Sequence, residues 1–405
     1  MKAVLKICVL SLVMAFTAVS VGAEGSIVVR KPSGDEYWYI LKQAQDAFDF
    51  GEYGRCVSLA EQAKKKRMSQ IQWEQYTLDH AQRISSVRNA GDELNVVIQA
   101  LDKTKQKNAL DIVRSYLSTY GDAKFKNSFS NLLSFINRNN SYPEADYLLG
   151  SVYMVEGEVK NASLYMKKAY EAAELLSVPD VKYDILYDLG KMAKNQLETS
   201  DYAEYLRNSG KSSPYFTDYE KYMLDILADD EFYTDAIFMK SMETVISGNT
   251  PKSVDRFFVL YRSNVDRSLA ALDGLSKYYK TVSTMLSDPK KVRSEKSKSL
   301  RCAALATVIA VTRIEETLGD RLTNFKYQSL ADLLKKAGEY SDIVNWGHDN
   351  GIWELFYNLA DVAGEMGYTS FAAGLFTVLG DTLPDNYWKN KASSRIIRNN
   401  GGSES

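Results

Sequence analysis

Residues Pro143–Ala173, PEADYLLGSVYMVEGEVKNASLYMKKAYEAA, decide the fold. Leu149-Gly150, Tyr153, Ala162, Met166 and Ala169 recur at helical intervals on either side of Gly157. That spacing predicts two short helices joined by a turn that the glycine opens. Small side chains stand where the helices would have to touch closely, and large apolar ones fill the gaps between them. A pair built this way leaves an apolar face uncovered and needs a neighbour on each side.

The pattern recurs elsewhere. Between Asp35 and Met68, Ala44 and Ala47 precede Gly51-Glu52-Tyr53, then Cys56, Ala60 and Ala63. From Trp353 to Pro384 the same intervals carry Phe356, Leu359-Ala360, Ala363, Gly367, Ala372, Phe376 and Leu379. A copy just before it has Leu330-Ala331, Leu334, Gly338-Glu339-Tyr340 and Ile343, with Gly347 where a large aromatic is expected. Degenerate copies cover Val96–Tyr116, which lacks the turn glycine, and Tyr183–Leu206, whose turn is several residues too long.

This spacing resembles the tetratricopeptide repeat (TPR), a helix-turn-helix unit that stacks into a superhelix. The resemblance implies an all-α protein, an α-solenoid of TPR-like hairpins that is degenerate in its middle. It also implies that the first helix of each pair lines a concave groove. Tyr147 and Ser151 would face that groove in the best copy, and Tyr357 and Asp361 in the C-terminal one. The subclass that clamps a terminal carboxylate uses lysine and asparagine at such places. Here they are Tyr147 and Ser151, and Leu41 and Gln45 in the first copy, so that subclass is not supported.

Lys2 and Lys6 precede an apolar run, Ile7–Val21, that ends in Val21-Gly22-Ala23. A basic start, a short apolar core and small residues are the order of a secretory signal peptide, expected to cover residues 1–23. The run is shorter than the roughly 20 residues of a comfortable membrane span. Cys8 lies at its start, not after it as in a lipoprotein signal. Losing Lys2 and Lys6 with the leader takes the formal charge from −2 to −4, which gives no general electrostatic case for nucleic acid or anionic lipid. Cys56 and Cys302 then remain, in apolar helical patterns that predict buried free thiols.

Helical spacing dominates after Gly34, and the 7 prolines sit at the edges of apolar segments. Ser213-Pro214, Thr250-Pro251 and Asp288-Pro289 each set a capping side chain before proline. We expect N-terminal repeats over 24–213, a helical middle segment over 214–324, C-terminal repeats over 325–395 and a disordered tail over 396–405. Cys302–Val311, CAALATVIAV, reads as a helix buried on all sides. Lys290–Arg301 before it reads as a hinge or as the solvated start of that helix, and the main boundary is placed near it.

Groups for chemistry are scarce. His80 and His348 have no visible base partner, and no metal-ligand spacing, phosphate loop, nucleophile elbow or dinucleotide fingerprint occurs. His348 stands in an expected turn, Trp346–Gly351, bonded to its backbone through Asp349 or Asn350. Asp229-Asp230-Glu231 and Glu315-Glu316 read as solvated helix faces, and Lys64–Arg67 as a basic helix C-terminus. The 27 tyrosines suit either packing between helices or a half-wet binding surface. No catalytic, cofactor or metal site is expected. The expectation is a non-enzymatic scaffold or adaptor of the bacterial periplasm or envelope, taking a protein or peptide partner in the groove. The alternative is a periplasmic α-helical small-ligand-binding protein, an auxiliary of a transport system whose pocket the Cys302–Val311 helix would line.

Overall fold

The structure, a computed structural model, describes residues 36–84, 99, 141–198, 214–265, 267–323 and 325–401. The expected signal peptide, residues 402–405 of the expected tail and, apart from Gln99, the copy over Val96–Tyr116 lie outside the described residues. The copy over Tyr183–Leu206 is described as far as Glu198.

Among the described residues the chain is all-α: sixteen α-helices and one 3-10 turn, with no strand. They are α1 Tyr37–Asp49, α2 Tyr53–Ile84, α3 Pro143–Val155, α4 Val159–Glu171, α5 Val181–Glu198, α6 Pro214–Leu227, α7 Glu231–Thr234 and α8 Ala236–Ser247. There follow α9 Ser253–Phe257, α10 Ser268–Met285, α11 Pro289–Arg321, α12 Leu330–Ala337, α13 Ser341–Asp349, α14 Ile352–Glu365, α15 Thr369–Thr382 and α16 Asn386–Gly401. None is long and apolar enough to cross a membrane.

Two compact units divide the chain. The smaller holds Met1–Tyr37 and Lys65–Asn140, of which the described part is essentially Lys65–Ile84 of α2. The larger holds Trp38–Lys64 and Ser141–Ser405, and the packing and clusters described below lie in it.

Three helix pairs, α1/α2, α3/α4 and α14/α15, are joined by one turn. Gly51, Gly157 and Gly367 adopt φ of +76°, +79° and +91°. Their amides bond Phe48, Met154 and Gly364, and the next amides, of Glu52, Glu158 and Tyr368, bond Ala47, Tyr153 and Ala363. This is a Schellman ending, which satisfies the last carbonyls of the first helix and needs the left-handed backbone that glycine adopts at little cost. Within α3/α4 the expected close crossing is present: a Cβ on Gly150 would stand 2.6 Å from Met166 Cγ. Cys56 is buried among Ala44, Ala47 and Ala60, where Leu148, Leu149 and Val152 of α3 close the cluster.

Packing follows the chain. α3 packs on α4, α4 on α5, α5 on α6, α6 on α10, α10 on α11, α11 on α14, α14 on α15 and α15 on α16. Short helices fill in at the sides, with α8 and α12 touching α11 and α13 touching α14. One apolar core runs from Tyr183 to Ala392. It crosses positions 213/214 and 324/325 without a break, so neither expected boundary marks a separate core.

α11 explains why. Its first turns are exposed and basic, Asp288 caps it through the Lys290 amide at 2.9 Å, and the helix continues unbroken into the buried run. The solvated-start reading of Lys290–Arg301 therefore holds, and the hinge and the boundary there do not. Leu305, Val308, Ile309 and Val311 are at most 1% exposed, and burying each such side chain stabilises by about 1.5–3 kcal/mol. Thr307 and Thr312 fit this core because their hydroxyls donate back to the Ala304 and Val308 carbonyls at 2.8 and 3.0 Å.

Three further readings are corrected. Lys64–Arg67 lie inside α2, which runs on to Ile84 because no glycine or proline ends it; Lys64 Nζ reaches Asp146 Oδ1 at 2.8 Å. Residues 396–401, expected within the tail, belong to α16. Asp230 is buried, as described below. Two distant parts of the chain also meet. A Cβ on Gly374 of α15 would stand 3.0 Å from Pro251 Cα, and Asn249 Oδ1 accepts from the Ser370 and Phe371 amides at the start of the same helix.

Candidate functional site

Of the four expected groove residues, Tyr147, Tyr357 and Asp361 are taken up by seams between helices, and Ser151 bonds within its own helix. Tyr147 is 2% exposed, and its hydroxyl donates to Asp188 Oδ2 of α5 at 2.9 Å. Ser151, also buried, donates to the Tyr147 carbonyl at 2.9 Å. Tyr357 lies against the rings of Phe376 and Trp388, with centroids 5.4 and 5.3 Å away, and accepts from Arg395 Nε at 3.1 Å. Asp361 Oδ2 takes Lys280 Nζ and its Oδ1 takes Arg395 Nη2, both at 2.5 Å.

The α3 pair and the α14 pair belong to one polar face, made by α3, α5, α10, α14 and α16. From α5, Asp184 accepts from Arg267 Nε at 2.5 Å, and Asp188 pairs with Lys191 Nζ at 2.9 Å. From α10, Lys277 Nζ bridges Asp273 Oδ2 and Glu354 Oε2 of α14, each at 2.9 Å. Lys280 reaches Asp361 and, at 3.4 Å, Glu365, which also holds Lys296 at 3.0 Å. α16 adds Arg395 and Lys391, whose ammonium lies 4.8 Å from the Tyr357 ring and 4.3 Å from that of Trp388. The Tyr187 ring carries both Lys191 and Arg267, at 5.1 and 5.3 Å.

Burial shapes the charge states on this face. It raises the Asp273 carboxyl further than Lys277 lowers it, and it pushes the Tyr147 phenol up, with Asp188 adding to the effect. For Lys280 burial works downward but is outweighed by Asp361 and Glu365, so its ammonium is held charged above the ordinary lysine range. The shorter acids sit at the floor and the longer cations reach outward. Lys191 is 47% exposed over Asp188 at 13%, and Arg395 is 44% exposed over Asp361 at 14%. Reasoning from single residues misses this face, yet it leaves a trace in the sequence. Asp184, Tyr187, Asp188 and Lys191, then Asp273, Lys277 and Lys280, then Glu354, Tyr357, Asp361 and Glu365 recur at helical spacing.

Asp230 forms a second cluster that contradicts a solvated-face reading. The helix stops at Leu227, so Asp230 takes an extended backbone and caps α7, its Oδ1 accepting from the Phe232 and Tyr233 amides. Oδ1 also accepts from Tyr261 Oη at 2.7 Å, and Oδ2 from Ser263 Oγ at 2.5 Å and Ser268 Oγ at 2.8 Å. Burial raises its carboxyl, but these donors together outweigh it and hold the group below the ordinary aspartate range. The cluster anchors the irregular segment from Phe258 to Val265, in which Phe258, Tyr261 and Val265 are buried and the Tyr261 amide is satisfied by Thr312 Oγ1. Every acceptor direction of Asp230 is used inside the protein, so its role is structural. Asp229 beside it stays on the surface, with Lys182 and Tyr183.

The remaining candidates for chemistry fall into structural places. His80 lies in α2. His348 Nδ1 is 3.2 Å from Asp385 Oδ2, and the turn after it closes when Asn350 Nδ2 donates to the Trp346 carbonyl at 2.8 Å, as expected. Cys56 and Cys302 are free and buried, and burial pushes their thiols up to about 11 and about 12. Among the described residues no group of three or more His, Cys, Asp or Glu side chains could hold a metal ion. A cleft between α8 and α11, lined by Met239, Met242, Ile246, Leu300 and Met366, touches the Cys302–Val311 run at Ala304 alone.

No family model matches the chain. It is similar to an uncharacterized protein of Treponema pallidum (strain Nichols), 25% identical over 385 residues that cover 93% of this chain and 94% of the relative. An uncharacterized protein of Borreliella burgdorferi (strain ATCC 35210 / DSM 4680 / CIP 102532 / B31) is 24% identical over 253 residues, covering 60% of this chain and 73% of that one.

Proposed function

We propose that the chain is a non-enzymatic scaffold or adaptor, exported to the periplasm or cell envelope, that holds a partner protein on the polar face of α3, α5, α10, α14 and α16. The observation that carries this reading is the continuity of that face. Five helices that are not consecutive in the chain are tied by one line of hydrogen bonds and ion pairs, from Tyr147–Asp188 to Asp361–Arg395. The TPR resemblance supports it. The three Schellman-turned hairpins and the neighbour-by-neighbour packing are what a helical-hairpin solenoid requires, and in such a solenoid the first helices line the binding groove. Export rests on the N-terminal sequence, with its basic start, short apolar core and Val21-Gly22-Ala23.

The test places a photo-crosslinking amino acid at Lys191 and at Lys391, on this face, and at Lys167 of α4 as a control. The expected result is one adduct, formed in cells from the two face positions and absent from the control. Equal labelling at all three positions, or none at the face, overturns the proposal.

A further inference from the structure

The polar face has a sign, and the sign specifies the partner. In each Lys or Arg pair with an aspartate the cation is the more exposed member: Lys191 over Asp188, Arg267 over Asp184, Lys277 over Asp273, and Lys280 and Arg395 over Asp361. In the three glutamate pairs the acid is level with its cation or lies outside it, Glu354 with Lys277 and Glu365 with Lys280 and Lys296. Two of the carboxylates at the floor are doubly engaged, whereas Asp273 keeps Oδ1 buried without a partner. Asp361 takes Lys280 and Arg395, while Asp188 takes Tyr147 and Lys191. Each outward cation keeps donors to spare, since an ammonium has three and a guanidinium five. Wherever the acid is an aspartate, an approaching chain therefore meets donors and positive charge first.

From this ordering we infer that the segment held on this face is acidic, an extended stretch of a partner protein whose Asp and Glu side chains lie over Lys191, Arg267, Lys277, Lys280 and Arg395. The inference rests on the scaffold reading of the same face and adds the chemistry of the guest. Net charge does not foreshadow it, because a chain of formal charge −2 would repel an acidic partner at long range. The attraction is local, made by the layering of cations over acids. Tyr187 and Trp388, beneath Lys191, Arg267 and Lys391, hold those cations in place without neutralising them.

The probes are fluorescein-labelled peptides of equal length, alternating Ser with Asp, with Lys or with Gln, titrated by anisotropy against the full chain at low and high salt. The expected result is that the Asp peptide binds about tenfold tighter than the Gln peptide at low salt and loses that advantage at high salt. The double variant Lys191→Gln/Arg395→Gln should remove the advantage. It leaves Asp188 its bond from Tyr147 and Asp361 its bond from Lys280, so neither acid is orphaned, and an unchanged circular dichroism melt confirms that the fold is intact. Equal binding of Asp and Gln peptides, tighter binding of the Lys peptide, or an advantage that survives in the double variant each overturns the inference. If the Asp peptide fails while Lys191 and Lys391 still crosslink a cellular protein, the scaffold reading stands and only the acidic guest falls. If both fail, both fall.

Discussion

The indole of Trp353 stands where a side chain on Gly347 would have to be: an ideal Cβ there lies 2.2 Å from Cε2 and Cζ2 of the ring. Its Nε1 donates to the Val344 carbonyl at 3.2 Å, so the ring is held in place from both sides. The aromatic missing from position 347 of the repeat has been supplied by the first turn of the next helix. Gly347→Ala should cost about 1–3 kcal/mol by overpacking. Adding Trp353→Leu to Gly347→Ala should cost less than the two single changes summed, and a thermal double-mutant cycle measures the difference.

The turn glycines should behave in the opposite way. At Gly157 and Gly367 nothing lies within 4 Å of an added Cβ, and the constraint is the left-handed backbone alone. Gly157→Ala and Gly367→Ala should each cost about 1–2 kcal/mol, while Gly157→Asn costs less. Urea midpoints for the four proteins check this, and an Asn variant no better than Ala would contradict the turn argument.

Asn249 carries its own left-handed φ of 48° and lends Oδ1 to the start of α15, where Tyr368 offers no side-chain cap. Asn249→Ala should lose the cap and strain the turn, about 1–2 kcal/mol in all, whereas Asn249→Asp keeps an acceptor and should lose less. Melting temperatures rank the three proteins.

Asp230 sets an acid-sensitive limb of stability. Its folded carboxyl titrates below the ordinary value, so it contributes fully above an unfolded aspartate's pKa of about 3.9, and the contribution fades as pH falls towards its folded pKa. Asp230→Ala should cost about 3 kcal/mol or more at neutral pH, because three hydroxyls and two amides lose their acceptor. Melting curves of wild type and Asp230→Asn should converge as pH drops below about 4. A gap that stays constant through that range would show that the charge of Asp230 is not what the cluster uses.

Cys56 and Cys302 should both resist iodoacetamide in the native protein at neutral pH and react on unfolding. Burial removes access, and thiols pushed up to about 11 and about 12 supply almost no thiolate. Mass spectrometry of native and denatured samples counts the adducts.

Local periodicity makes the helices readable in advance, and turn chemistry makes the glycine hairpins readable: Gly51, Gly157 and Gly367 fall where the spacing sets them. The apolar run of α11 is legible for the same reason, since the eleven uncharged residues between Arg301 and Arg313 have only a core to enter. What escapes is whatever depends on distant partners. Asp230 looks like one of three adjacent surface acids until Tyr261, Ser263 and Ser268 fold over it. Tyr147 and Tyr357 fall on the expected helices, but only the seams to α5 and α16 determine that their rings are covered. The ion-pair face is half legible, as stripes on single helices whose partners the spacing alone does not name.

The meeting of Pro251 with Gly374 bears on how the molecule comes apart. Packing between successive helices gives mostly short-range contacts, and chains of that kind tend to open hairpin by hairpin, with protection of their amides falling off towards the ends. A clasp between positions 251 and 374 closes a long loop around α10, α11 and α14, so these helices cannot loosen singly without also breaking it. Hydrogen exchange should therefore show the stretch between the two ends of the clasp opening as one cooperative block, with α3 and α4 exchanging independently of it.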